Sequence, residues 1–242
     1  FQVSGDLAVE KSSKTVTLAR VGTAAAETVN VDLLTIGGSG MSAFAGVGGN
    51  SANRLGLSLT GVDFGLALMT SKANASRKWT ALQATAASVA FVGLGDNLKI
   101  AASNVSVQVN QADGAATDVV DFTQTTLSVP TGPTSSLRMT LDGAKGEMIR
   151  ASGRLNVDVF GFFQVAGDLA IEKRSQTVTL AKVGTAAAEQ VAVDLLTIGG
   201  SGLGAFAGIG GGTSNELGLK LTGVEFGLVL ATSKADTARK WT

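Results

Sequence analysis

Three acidic turns hold the first residues in this 242-residue chain that could do chemistry. Asp96 stands beside Asn97, Asp113 is followed by Asp118, and Asp142 by Glu147. Carboxylates gathered in turns are the ligands that calcium takes, about six to eight oxygens at a time. The spacing falls short of a calcium loop, because no D-x-[DN]-x-[DN]-G run and no GGxGxDxxx series occurs. Asp-Gly and Gly-Asp-Asn are also ordinary turn residues. No cofactor is therefore the leading expectation, and calcium is the one metal these residues would suit.

Other residues carry weaker signals. Asp6 with Glu10, and their counterparts Asp168 with Glu172, could exchange protons as carboxylate pairs. They lie on an alternating polar face, which reads as solvated strand surface. Trp79 follows Arg77-Lys78, and Trp241 follows Arg239-Lys240. These two indoles are the candidate surface-binding aromatics, for a carbohydrate or another surface. The glycine runs IGGSG (36–40) and GVGGN (46–50) lack the Gly-Lys-Ser/Thr and the following helix that a phosphate loop needs. Asn74-Ala75-Ser76 and Asn104-Val105-Ser106 match the glycosylation sequon, the second of them inside a strand pattern.

The inventory is poor for catalysis. The chain has no His, no Cys and no Tyr. The commonest general base is missing, as is the thiolate nucleophile. The expectation is a protein that is not an enzyme. Lys plus Arg is 19 and Asp plus Glu is 19, so no net field recruits nucleic acid. Hydrophobic residues make up 45%, mostly Ala, Val and Leu, yet no run of about 18 apolar residues occurs to form a membrane-spanning helix.

The elements that hold these residues come in a repeat. FQVSGDLAVEK at 1–11 returns as FQVAGDLAIEK at 163–173, and 59 of the 80 positions of 1–80 are identical in 163–242. The unit is thus residues 1–162, with 163–242 the first half of the next. Both ends of the chain fall within strand patterns, so the expectation is a window of a longer array. Between copies, Val9 becomes Ile171, Met41 becomes Leu203 and Val47 becomes Ile209, while NSANR (50–54) becomes GTSNE (212–216). Conservative swaps suit a packed face and free polar exchange suits loops.

The hydrophobic period is two, the signature of strands. Leu155, Val157, Val159, Val165, Leu169 and Ile171 share one face. Short polar joints between alternating runs predict antiparallel hairpins: at 95–97, at 112–118 leading into VVDFTQTTLSV (119–129), at 70–78, and at Lys173–Gln176. In LGLSLTGVDFGLAL (55–68) the leucines change phase, which predicts a β-bulge near Gly61. LKIAASNVSVQV (98–109) predicts another at Ser103-Asn104. The fold expected is all-β: an elongated, coiled antiparallel meander of long strands hinged at glycines, built from 162-residue tandem repeats. A parallel β-solenoid is the rival, which the absence of a rung period of roughly 20 residues disfavours.

The VFGFFQV–AGDLAIEK and GLxLTGVxFGL blocks, in long near-identical units without cysteine, resemble the repeat regions of giant bacterial secreted or cell-surface proteins. That resemblance implies a stalk, adhesin shaft or fibre, placed outside the cell, whose partners are neighbouring units or other copies of the chain. A second resemblance is to the bridge-like lipid-transfer proteins of the AsmA and TamB type. It implies a bent sheet with an apolar trough, lipid as a partner, and a periplasmic location. Membrane contact is left open by both.

Overall fold

The computed structural model describes residues 1–19, 26–49, 51–95, 97–116, 118–181 and 187–242. Long alternating runs become long strands: β1 (Gln2–Leu18), β2 (Glu27–Val47), β3 (Leu55–Ser71), β4 (Arg77–Val92) and β5 (Leu98–Gly114). A capping segment follows, with the short strands β6 (Ser128–Pro130) and β7 (Ser136–Arg138) and one 3-10 turn at Gly143–Lys145. The long strands then resume as β8 (Met148–Val159), β9 (Phe163–Leu180), β10 (Glu189–Ile209) and β11 (Leu217–Ser233), ending in β12 (Lys240–Trp241).

Ten strands form one antiparallel sheet in chain order, with β1 and β12 at its edges and β6 pairing only with β7. Every pairing is antiparallel, so the meander stands and the parallel solenoid does not. The unit boundary at 162/163 is no gap in the sheet. β8 and β9 pair in register from Met148↔Arg174 to Val159↔Phe163.

The two expected phase slips are present. Gly61 sits at φ +60° and Asn104 at φ +51°, left-handed backbone that glycine and asparagine tolerate best. The register shifts where they lie, between Ser103 and Ser106 in β5 and between Met41 and Ala43 on β2 opposite Gly61. Gly40, Gly202 and Gly223 share this backbone, at φ +57°, +55° and +64°. Together they mark a crease running across the strands. Each slip restores the apolar residues beyond it to the face they held before, so Leu59 and Phe64 share a face despite their opposite parity.

Two local expectations fail. Lys173–Gln176 is no turn, because β9 runs straight through it as an 18-residue strand. Its polar residues are held along and across strands instead: Arg174 lies 3.5 Å from Glu172 on β9, and the Ser175 hydroxyl donates to Asp194 on β10 at 2.7 Å. Nor is 119–129 a long strand of the sheet. Val120 makes a single bridge to Leu18, and only 128–130 is extended and paired, to β7. The segment's alternation serves a cap.

That cap makes the core. One sheet face carries Val16, Leu18, Val31, Leu33, Met69 and Trp79 at its β1–β4 end. Val120, Phe122, Leu127, Val129, Met139 and Leu141 of the capping segment pack onto them. Gly37 and Gly65 clear the ground: a methyl group at Gly37 would stand 2.2 Å from the Pro130 carbonyl oxygen, and one at Gly65 would stand 3.2 Å from Val129.

Candidate functional site

The face opposite the cap is the largest feature left without a partner. Strand register lines up Leu7, Gly38, Phe64, Ala84 and Val107 on it. The same row continues across the unit boundary through Ala151, Ile171, Ile198 and Leu228. Nine strands thus present an unbroken apolar row, roughly 38 Å long at about 4.8 Å per strand step. The row is exposed at Leu7 (58%), Ile171 (44%) and Leu228 (42%) and half-buried along most of the rest, with Gly38 covered by Met41 and Phe64. Near its middle, Val105, Leu155, Leu169, Ile171 and Ile198 line a shallow depression of about 330 Å³. Exposed contiguous apolar surface of this extent is uncommon on monomeric proteins.

The swaps between copies fall on this face. Val9 and Ile171, and Val47 and Ile209, are exposed in both copies and stay apolar in both. Sequence reasoning placed these swaps in a packed face, which the described chain does not supply.

The capped face is polar where the cap does not reach. Arg150, Glu172 and Arg174 form an ion-paired cluster there, and Arg154 lies 3.5 Å from Asp168. The carboxylates of the Asp168 and Glu172 pair are therefore engaged by arginines. Asp168, Gly199 and Ser201 line a recess of about 470 Å³ on this face, with Arg154 and Asn104 at its margin.

The two tryptophans part company. Trp79 is 1% exposed, and its indole N–H donates to the Asp118 carbonyl at 2.8 Å. It is a core residue rather than a surface-binding aromatic, and the cap that buries it lies about forty positions downstream. Trp241 is half-buried beside Ala231 on β11, against the cluster of Val193 and Leu195 that Val178 and Leu180 flank from the other side. Each indole has an arginine over its ring, Arg77 at 5.4 Å and Arg239 at 5.3 Å. The Arg77 guanidinium is held above its ordinary range by its hydrogen bonds to Glu27, against the opposing effect of burial.

The calcium candidates are dispersed as turn and cap acceptors. Asp113 Oδ1 accepts from the Gly114 N–H at 2.7 Å. Asp142 Oδ1 accepts from the Ala144 N–H at 2.9 Å and caps the 3-10 turn. Glu147 Oε1 accepts from the Ala112 N–H at 3.3 Å. Asp118 contributes its carbonyl to Trp79, and Asp96 lies outside the described residues. Among the described residues no three acidic side chains gather to hold a metal ion. The acid that organises the cap is one that sequence reading passed over. Asp121 Oδ1 accepts from the Thr123 N–H at 2.9 Å, the Thr123 hydroxyl at 2.7 Å and the Gly143 N–H at 3.3 Å. The Asp-x-Thr spacing of an Asx turn was its only local sign.

The IGGSG run lies inside β2 against the cap, a strand interior rather than an anion loop. Asn74 sits in the exposed β3–β4 turn, where its Oδ1 accepts from the Ser76 N–H at 3.0 Å. No helix among the described residues is long and apolar enough to cross a membrane. Comparison with family models, curated proteins and solved structures finds no match to this chain.

Proposed function

We propose that the chain is a structural repeat segment of an elongated array, a stalk, adhesin shaft or fibre carried outside the cell or on its surface. The observation behind this reading is the β8–β9 pairing, which joins one unit to the next by a full main-chain ladder. Units coupled this way add length and share stability with their neighbours. Six long strands make one unit, so each added unit lengthens the array by about 29 Å at about 4.8 Å per strand. Chains of two, three and four units, measured by small-angle X-ray scattering, should grow in maximum dimension by that step. Folded chains whose dimension fails to grow would remove the shaft.

A second reading is favoured by the open apolar row. A sheet face that stays apolar in both copies while exposed suits acyl chains or another elongated apolar ligand, carried in the periplasm or between membranes. Mass spectrometry of protein purified without detergent tests it: bound lipid that is lost in Ile171→Asp, with the circular dichroism unchanged, would support this reading. Lipid-free protein would sink it.

A further inference from the structure

The second unit keeps the seat of the cap without a cap on it. In the first unit the Ser39 hydroxyl lies 3.3 Å from the Thr131 carbonyl oxygen and 3.1 Å from the Ser135 hydroxyl. Gly37 beneath this tip leaves no room for a methyl group. The counterparts of Asp6, Gly37 and Ser39 are Asp168, Gly199 and Ser201, which line the recess of about 470 Å³. There a methyl group on Gly199 would meet nothing nearer than 3.7 Å, and one on Gly227, the counterpart of Gly65, nothing within 4 Å. Val16 and Leu18 are fully buried, whereas Val178 and Leu180 are half-open. The floor strand VDLLTIGGSG is identical at 31–40 and 193–202. The floor departs at Ala67 and Met69, which become Val229 and Ala231 and move bulk toward the recess.

We infer that the capped face of β9–β12 is a receptor site for another copy of the 115–147 segment, brought by a further copy of the unit. This rests on the tandem-array reading. The complement is specific. A carbonyl equivalent to that of Asp118 accepts the Trp241 indole N–H. A hydroxyl equivalent to that of Thr125, which takes the Thr17 N–H at 2.8 Å, takes that of Thr179. A Pro-Thr-Gly-Pro tip and its serines enter the recess against Ser201, and an apolar row equivalent to Val120, Leu127 and Leu141 covers Val178 and Leu180 above the already buried Val193.

The test extends the full chain with a second copy of residues 81–162 after Thr242 and reads Trp241 by acrylamide quenching and by its indole N–H resonance. Trp241 should become as protected as Trp79. Asp substitutions at the added equivalents of Val129 and Leu141 should re-expose Trp241 alone. A folded extended chain with Trp241 as accessible as before overturns the inference. A parallel titration of the 242-residue chain with a synthetic peptide of residues 112–148 covers the case in which the extension misfolds. Saturable protection of Trp241 with shifts at Gly199 and Ser201 supports the site, and no protection at roughly millimolar peptide, a concentration that detects even weak binding, overturns it. Protection of Trp241 by self-association of the 242-residue chain overturns it too, by making a second sheet the occupant. Protection of Trp241 without the added length in scattering would leave this site standing and remove the shaft.

Discussion

The nine residues VDLLTIGGS occur at 31–39 and 193–201, with Val31, Leu33, Val193 and Leu195 all buried, but the stretch from Thr197 to Ser201 opens where Thr35 to Gly38 stays packed. Thr35 and Gly37 are buried, while Thr197 and Gly199 are not. Strand bounds and pairing partners match in the two copies, including the slip of register before Met41 and Leu203. Local sequence therefore fixes the strands and their register, and the 115–147 segment extends the core over Thr35, Gly37 and Gly65, since Val193 and Leu195 are buried without it. With 59 of 80 residues shared, the copies differ chiefly in what lies beside them: the first has β4, β5 and the 115–147 segment, and the second has only the two residues of β12.

The largest break in this comparison comes from truncating the tryptophans. Trp79→Ala should cost about 3–5 kcal/mol in a denaturant melt, the usual range for an aromatic removed from a core. Trp241→Ala should cost less than half as much. Equal costs would mean that the cap contributes little to the first unit. Next come the glycines. Gly37→Ala drives a methyl group into the Pro130 carbonyl and should destabilise by about 1–3 kcal/mol through overpacking. Gly199→Ala has room and should stabilise by up to about 1 kcal/mol, the ordinary gain over glycine within a strand.

Smaller effects attend the ion pairs. Arg77 forks onto Glu27 at 2.8 and 3.2 Å with both side chains largely covered, whereas Arg239 meets Glu189 in a more open setting. Arg77→Ala should cost at most about 1 kcal/mol after solvent screening, and Arg239→Ala should leave the melt unchanged. The pKa of Arg77 is raised, so its contribution is complete below the unfolded value and is lost only as pH climbs through the folded one. The Arg77→Ala difference should accordingly stay flat from about pH 7 to about pH 10, well below arginine's range. The smallest effect distinguishes the loops. Glu216 replaces Arg54, which stacks over Phe44 at 5.5 Å, and Glu216 instead pairs with Lys220. Its hydrogen bond to Lys220 holds the Glu216 carboxylate below the usual range. Lys220→Ser should raise the Glu216 titration seen by NMR back toward an ordinary glutamate. The pair's contribution holds above the unfolded value and fades as pH falls through the folded one. At so exposed a site the melt should not move.

Much of the fold was legible because its causes are local. The period of two, the antiparallel return from β4 to β5 and the turn between β3 and β4, and the slips at Gly61 and Asn104 all leave marks within a few residues. Lys173–Gln176 misled because polar residues can either end a strand or pair across one, and a deciding partner, Asp194 to Ser175, lies on β10. VVDFTQTTLSV misled because alternation marks a two-sided segment, and a cap bridging sheet and solvent is also two-sided. Trp79 could not be placed from its neighbours Arg77 and Lys78, since its burial comes from Asp118 and beyond. The open face was visible only as residues that stay apolar between copies, with no sign of whether anything covers them.

The crease has a mechanical meaning. It is marked on β2, β3, β5, β10 and β11 and so runs along the axis on which units are added. Bulged residues bend each strand where they sit. A ribbon scored and folded along its length is an angle section, in which material lies away from the neutral axis. Such a section yields far less to transverse load than the flat ribbon from which it was made. Gly40, Gly61, Asn104, Gly202 and Gly223 would then turn a sheet one strand thick into a beam.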